Sequence, residues 1–149
     1  MTRLIETATT SLDPAEAFAN VGDFGNIDRW DPGVITAEKI TAGPVGVGTV
    51  YGLTLSYGGP TMTMEYEVLE HEVGRRIVLE GTGPRVHAID TISFEPGGNG
   101  TLITYQADLT LTGIARLAQP FMKGRFNKIG ESAGIGLRKW LSELESAAV

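Results

Sequence analysis

The segment VHAIDTISFEP, Val86 to Pro96, carries an acid where a strand should be apolar. Val86, Ala88, Ile92 and Phe94 alternate as the buried side of a half-exposed strand, and the same count puts Asp90 in their row. A carboxylate there needs a partner, a raised pKa or a wet hole to face. Folding the preceding strand RRIVLEG back about Thr82 and Gly83 sets Leu79 against Val86, Ile77 against Ala88 and Arg75 across from Asp90. That register predicts a cross-strand ion pair that keeps the carboxylate ionised. The other reading starts from the small neighbours Ala88 and Ala107, which leave Asp90 projecting into open space to bind a ligand hydroxyl or move a proton. The two are compatible if the pair lines a pocket, so Asp90 and Arg75 are the candidate catalytic residues.

All four tyrosines, Tyr51, Tyr57, Tyr66 and Tyr105, have the inward parity of their strands. Each offers an apolar body and a hydroxyl that wants a partner, as a pocket wall for an aromatic or hydroxylated guest or as an ordinary core residue. Trp30 and Asp31, in IDRWDPGV, either close a short helix stopped by Pro32 or gate a pocket. His71 and His87 are the only histidines. His71 lies next to a turn and His87 points outward, which fits neither a catalytic triad nor a metal site. The glycines of GPVGVG precede a strand and not a helix, which rules out a dinucleotide fingerprint there. NGT, at residues 99–101, matches a glycosylation sequon and is read as a hairpin turn.

The positioning elements follow from punctuation and periodicity. TRLIETATTSL reads as a strand, and DPAEAFANV opens a helix with Asp13 as N-cap, Pro14 at the first position and Glu16 completing a capping box. A second short helix ends at Pro32 and Gly33. Five or six strands come next. Their apolar rows are Tyr51, Leu53, Leu55 and Tyr57; Met62, Met64, Tyr66 and Val68; Ile77 and Leu79; and Ile103, Tyr105, Ala107, Leu109 and Leu111. Folded at 58–59, 72–73, 82–83 and 98–99, the rows meet as Leu55 with Met62, Val68 with Ile77, Leu79 with Val86 and Ile92 with Tyr105. From Pro120, placed at the first helical position after a separate IARLAQ turn, Met122, Phe126, Ile129, Ala133, Leu137, Trp140 and Leu144 recur at three- and four-residue steps. Gly124, Gly130, Gly134 and Gly136 interrupt this long helix at about 1 kcal/mol each relative to Ala. They either allow close packing on the sheet or leave room beside it, and the second reading is preferred.

At 149 residues the chain is expected to form one domain, 1–149, with a sizeable core. It has no cysteine, which excludes disulfides and thiolate chemistry and fits a reducing, cytoplasmic location. No signal peptide is expected after Met1, and no apolar run approaches the ~18 residues of a membrane span. A net charge of −6 argues against nucleic acid as the main partner. Between Asp108 and Glu131, however, there is no acid, while Arg116, Lys123, Arg125 and Lys128 all fall there. This stretch is either a solvated helix face or a basic mouth for an anionic ligand or membrane surface.

The order of strand, two short helices, antiparallel meander and long amphipathic helix resembles the START/Bet v 1-like (SRPBCC) superfamily, in its polyketide cyclase/dehydrase-like branch. DPAEAFANVGDFGNIDRWDPGV, GPVGVGTVYGL and FEPGGNGTLITYQADLTLTG carry the resemblance. It implies an α+β helix-grip fold, a curved antiparallel sheet wrapped around the C-terminal helix, with an apolar cavity between them. It carries over no catalytic residue. With the inward rows it implies a wall built from Trp30, Tyr51, Leu53, Tyr57, Met62, Met64, Tyr66, Leu79, Ala88, Asp90, Tyr105, Ala107 and Phe126. A small hydrophobic ligand, aromatic or polyketide-like, is the expected partner, with no cofactor and no metal, and a homodimer is left open. The alternatives on the same scaffold are a cyclase or dehydratase in which Asp90 works with Arg75 or a tyrosine, and a partner-binding domain whose cavity is incidental.

Overall fold

A computed structural model describes residues 1–148. Strand β1 spans Thr2–Thr10, helix α1 Pro14–Val21, and a 3-10 turn Phe24–Arg29. Strands β2 (Val34–Lys39), β3 (Val50–Leu55), β4 (Met62–Glu72), β5 (Arg76–Thr82), β6 (Val86–Gly97) and β7 (Gly100–Leu111) follow. A second 3-10 segment, Gly113–Phe121, leads into α2, Lys123–Ala147. The strands form one antiparallel sheet in the order β1-β7-β6-β5-β4-β3-β2, gripped by α2. The α+β helix-grip expectation is met.

Local chemistry sets the element ends. Asp13 Oδ1 accepts from Glu16 N at 2.8 Å, which satisfies one of the free donors at the start of α1. The expected Pro120 start of α2 is displaced. Pro120 lies within the second 3-10 segment, Met122 is the cap residue, and α2 begins at Lys123. A 3-10 geometry tolerates Pro here because the segment is a short connector and not the first turn of a long helix.

The inward rows are correct, and two of the four expected pairings hold. Leu55 pairs with Met62 and Ile92 with Tyr105. Val68 pairs with Leu79, not with Ile77, because a bulge between Val68 and Glu70 precedes a turn containing Gly74, whose φ is +78°. Leu79 pairs with Asp90, not with Val86, because the β5–β6 connection is longer than expected: Thr82 pairs with His87, and Gly83 N donates to Val86 O at 2.9 Å. At Val68 and at Leu79 the errors are even slips, of two and four residues. With a side-chain period of two, an even slip returns every residue to its own face, so alternation of apolar residues cannot detect it.

The consequence for Arg75 is decisive. It sits in the β4–β5 turn, its side chain 80% exposed and 3.9 Å from Glu72. The expected Arg75–Asp90 ion pair does not exist.

The helix glycines also depart from expectation. A Cβ on Gly136 would fall 1.8 Å from the Trp30 carbonyl oxygen, one on Gly134 2.1 Å from Glu6 Oε1, and one on Gly130 3.3 Å from Leu4. These three permit close approach of helix and sheet, and only Gly124 has open space around it.

Candidate functional site

Under the first half of α2 the sheet does not fill in. A cavity of about 530 Å³ lies there, walled by Leu55, Met62, Met64, Leu109 and Leu111 from the strands and by Met122, Phe126, Ile129 and Ala133 from the helix. Its rim is formed by Gly59–Met62, by Pro84–Val86, and by Met122 and Arg125. That volume is in the range that holds a small organic ligand.

The polar groups of the cavity are buried. Asp90, between Leu79 on β5 and Ala107 on β7, is 2% exposed. Its Oδ2 accepts from Tyr105 OH at 2.8 Å, while Oδ1 is buried with no partner among the described residues. Burial pushes its pKa from 3.8 up to about 7; the Tyr105 hydrogen bond opposes the rise, and the charges of Asp31 and Asp108 add to it. Such a shift corresponds to about 4 kcal/mol against the ionised form. The carboxyl therefore has the partner, the raised pKa and the open space that its place in an apolar row demanded.

Asp31 is 4% exposed and fully engaged, accepting from Gly33 N at 2.9 Å and from Tyr57 OH at 3.0 Å. Burial raises its pKa too, against the pull of those two hydrogen bonds. The Tyr57 ring packs against Gly33, where a Cβ would fall 1.9 Å from a ring carbon, so only glycine admits it. Tyr57 and Asp31 separate the main cavity from an outer pocket of about 330 Å³ that reaches Lys128 and Ser132. Tyr66 completes the polar set, with its hydroxyl 4.0 Å from Met64 Sδ. Burial holds the Tyr57, Tyr66 and Tyr105 hydroxyls protonated, their pKa values raised further by Asp90 and Asp31.

Of the expected wall, Tyr57, Met62, Met64, Tyr66, Asp90, Tyr105, Ala107 and Phe126 lie on the cavity. Five others do not. Tyr51 donates to Asp23 at 3.0 Å and packs beside Phe24, at the opposite, solid end of β3. Leu53, Leu79 and Ala88 are buried in the core without reaching the cavity. Trp30, expected at an entrance, is 2% exposed and backs the cavity from behind, its ring 5.3 Å from that of Tyr105. Its indole N–H is buried without a partner among the described residues. Met122, Ile129 and Ala133 were missed as wall residues although they share the helix face of Phe126 at i−4, i+3 and i+7, which was signal enough. Pro84, Arg85 and Val86 were also missed, because they reach the rim only through the longer β5–β6 connection.

A curved antiparallel sheet gripping a C-terminal helix over a half-lined hollow defines the helix-grip class. The fold recurs at low identity in solved structures. A START superfamily protein from Mycobacterium smegmatis matches with a TM-score of 0.80 at 16% identity, covering 97% of this chain and 99% of that one. A protein from Thermus thermophilus matches at 0.76 and 17%, covering 96% and 97%. The Zhui aromatase/cyclase of a Streptomyces species matches at 0.75 and 14%, covering 97% and 93%. No curated protein matches the sequence significantly. The family model for polyketide cyclase/dehydrase and lipid transport matches residues 1–144, and the chain belongs to that family.

Proposed function

We propose that this chain is a single ligand-binding domain, residues 1–149, that holds a small hydrophobic molecule with at least one hydroxyl or keto group in the cavity between sheet and α2. The observation that carries the reading is Asp90: one carboxyl oxygen is held by Tyr105 and the other is buried at the cavity wall with no partner among the described residues. A buried polar atom left without a partner is costly, and a guest hydroxyl would satisfy it. The surrounding methionine, leucine and phenylalanine side chains favour an apolar body, aromatic or polyketide-like, for the rest of the guest. Tyr57, Met62, Met64, Tyr66, Tyr105, Ala107 and Phe126 are the proposed contacts.

A second reading, catalysis of a cyclase or dehydratase type, draws on the raised pKa of Asp90. A carboxyl that titrates near 7 is populated in both forms at neutral pH, as a general acid or base should be. Asp90 would accept a proton from a carbon or hydroxyl of the guest on Oδ1 and return it to a leaving hydroxyl, while Tyr105 fixes Oδ2. Arg75 has no part in this.

Native mass spectrometry of protein purified from its own host tests the first reading. A co-purified small molecule is expected, absent from an Ala107→Phe variant that fills the cavity. Empty protein, with no cavity-dependent uptake of an anilinonaphthalene sulfonate dye, would sink it. Asp90→Asn separates the two readings: binding with loss of turnover supports catalysis, and unchanged turnover excludes Asp90 as the acid–base group.

A further inference from the structure

Exposed large apolar side chains are scattered singly over most of this molecule, as on any soluble surface. One segment differs. Within Gly113–Phe121, Ile114 is 83% exposed, Leu117 72% and Phe121 86%. Ile114 and Leu117 are one 3-10 turn apart and so stack on the same side of the segment. The segment is pinned from beneath: Gln119 accepts from Leu111 N at 2.7 Å and donates to Thr2 Oγ1 at 2.9 Å and Leu109 O at 3.2 Å. The apolar side chains are thus held outward by a tethered backbone.

Charge along this stretch of the chain is of one sign. Arg116, Lys123, Arg125 and Lys128 are exposed, no acid occurs between Asp108 and Glu131, and among the described residues none of the four forms an ion pair. Arg85 joins them, its carbonyl accepting from Thr112 N at 2.8 Å at the head of the segment. This basic, greasy surface sits in a chain whose net charge is −6, and it adjoins the cavity rim through Met122, Arg125 and Arg85.

We propose that Gly113–Phe121 and the start of α2 form a docking surface for an anionic lipid bilayer, with Ile114, Leu117 and Phe121 entering the interface and Arg116, Lys123 and Lys128 meeting the headgroups. Charge decides against a second copy of the chain, because a twofold contact through this patch would set the same cations against each other. Docking would face the cavity rim toward the bilayer, where an apolar guest partitions.

Co-sedimentation with vesicles tests this. The intact protein is expected to pellet with phosphatidylcholine vesicles containing a quarter phosphatidylglycerol, more weakly as salt rises, and at least about tenfold more weakly with phosphatidylcholine alone. Leu117→Ser with Phe121→Ser should lower the affinity for anionic vesicles at least about tenfold, since burying even one such side chain is worth about the 1.4 kcal/mol that a factor of ten represents. Arg116→Glu with Lys123→Glu should do the same and flatten the salt dependence. All four side chains are exposed, so an unchanged melting temperature confirms that folding is intact. The Ala107→Phe variant, which blocks the cavity, should still dock, so this surface and the cavity fail independently. The proposal is overturned if the wild type ignores anionic vesicles or if either double variant binds like the wild type. It is overturned equally if ultracentrifugation finds a dimer that Leu117→Ser with Phe121→Ser splits into monomers.

Discussion

From Gly134 to Leu141, α2 lies directly against β1 and the Trp30 backbone; from its Met122 cap to Ala133 the same helix borders hollow space. Gly134 and Gly136 mark the first region, where the absence of side chains brings helix and sheet together. Large side chains mark the second, where Met122, Phe126 and Ile129 form a roof with no matching floor. The tyrosine–aspartate pairs repeat the contrast. Tyr51 and Asp23 close the solid end, and Asp23 also accepts from Gly25 N. Tyr105 and Asp90 line the hollow end and leave an oxygen free. One end is close-packed, while the other stays unfilled and carries a costly buried acid.

The largest effect that would test this contrast is a pH dependence. The folded chain holds the Asp90 proton up to about pH 7, whereas the unfolded chain releases it near 3.8. The contribution of Asp90 is therefore most favourable below that window, declines as pH rises through it and levels off above about 7. Urea titrations should show the wild type losing up to about 4 kcal/mol between pH 4 and 8 relative to Asp90→Asn. Parallel curves for the two proteins would mean that the carboxyl is solvated and the hollow end ordinary. Asp31, whose pKa is also raised, acts in the same direction and remains in both proteins.

Gly136→Ala presses on the solid end. Its methyl group meets a backbone carbonyl, which cannot swing aside, so a loss of about 1–3 kcal/mol in unfolding free energy is expected. A neutral result would show that the helix is not held against Trp30. Tyr105→Phe should cost about 1–3 kcal/mol by stripping Asp90 of its one protein partner, and should drive the Asp90 pKa above 7, readable by carboxyl NMR titration. Tyr51→Phe, by comparison, should cost about 1 kcal/mol, because Asp23 retains Gly25 N. If the two phenylalanine variants behave alike, the two ends are equivalent and the contrast fails. The smallest change is Gly124→Ala, which meets nothing and should stabilise α2 by up to about 1 kcal/mol in thermal melts.

Much of this was legible in the chain itself. The period of two identified the inward rows of β3 to β7, the three- and four-residue steps identified the buried stripe of α2, and Asp13 and Pro14 marked the start of α1. Asp90 was conspicuous because a carboxylate in an apolar row violates a local rule. These features depend on near neighbours, which one sequence contains. What lay opposite Asp90 was not legible. Alternation is unchanged by a slip of two or four residues, and only the long connection after Thr82 puts Leu79, not Arg75, across from it. The glycines of α2 were equally silent, since a missing side chain reads the same whether it makes room or removes it. Tertiary contact alone decided that Gly134 and Gly136 press helix to sheet while Met122 to Ile129 stands clear, and so where the hollow lies.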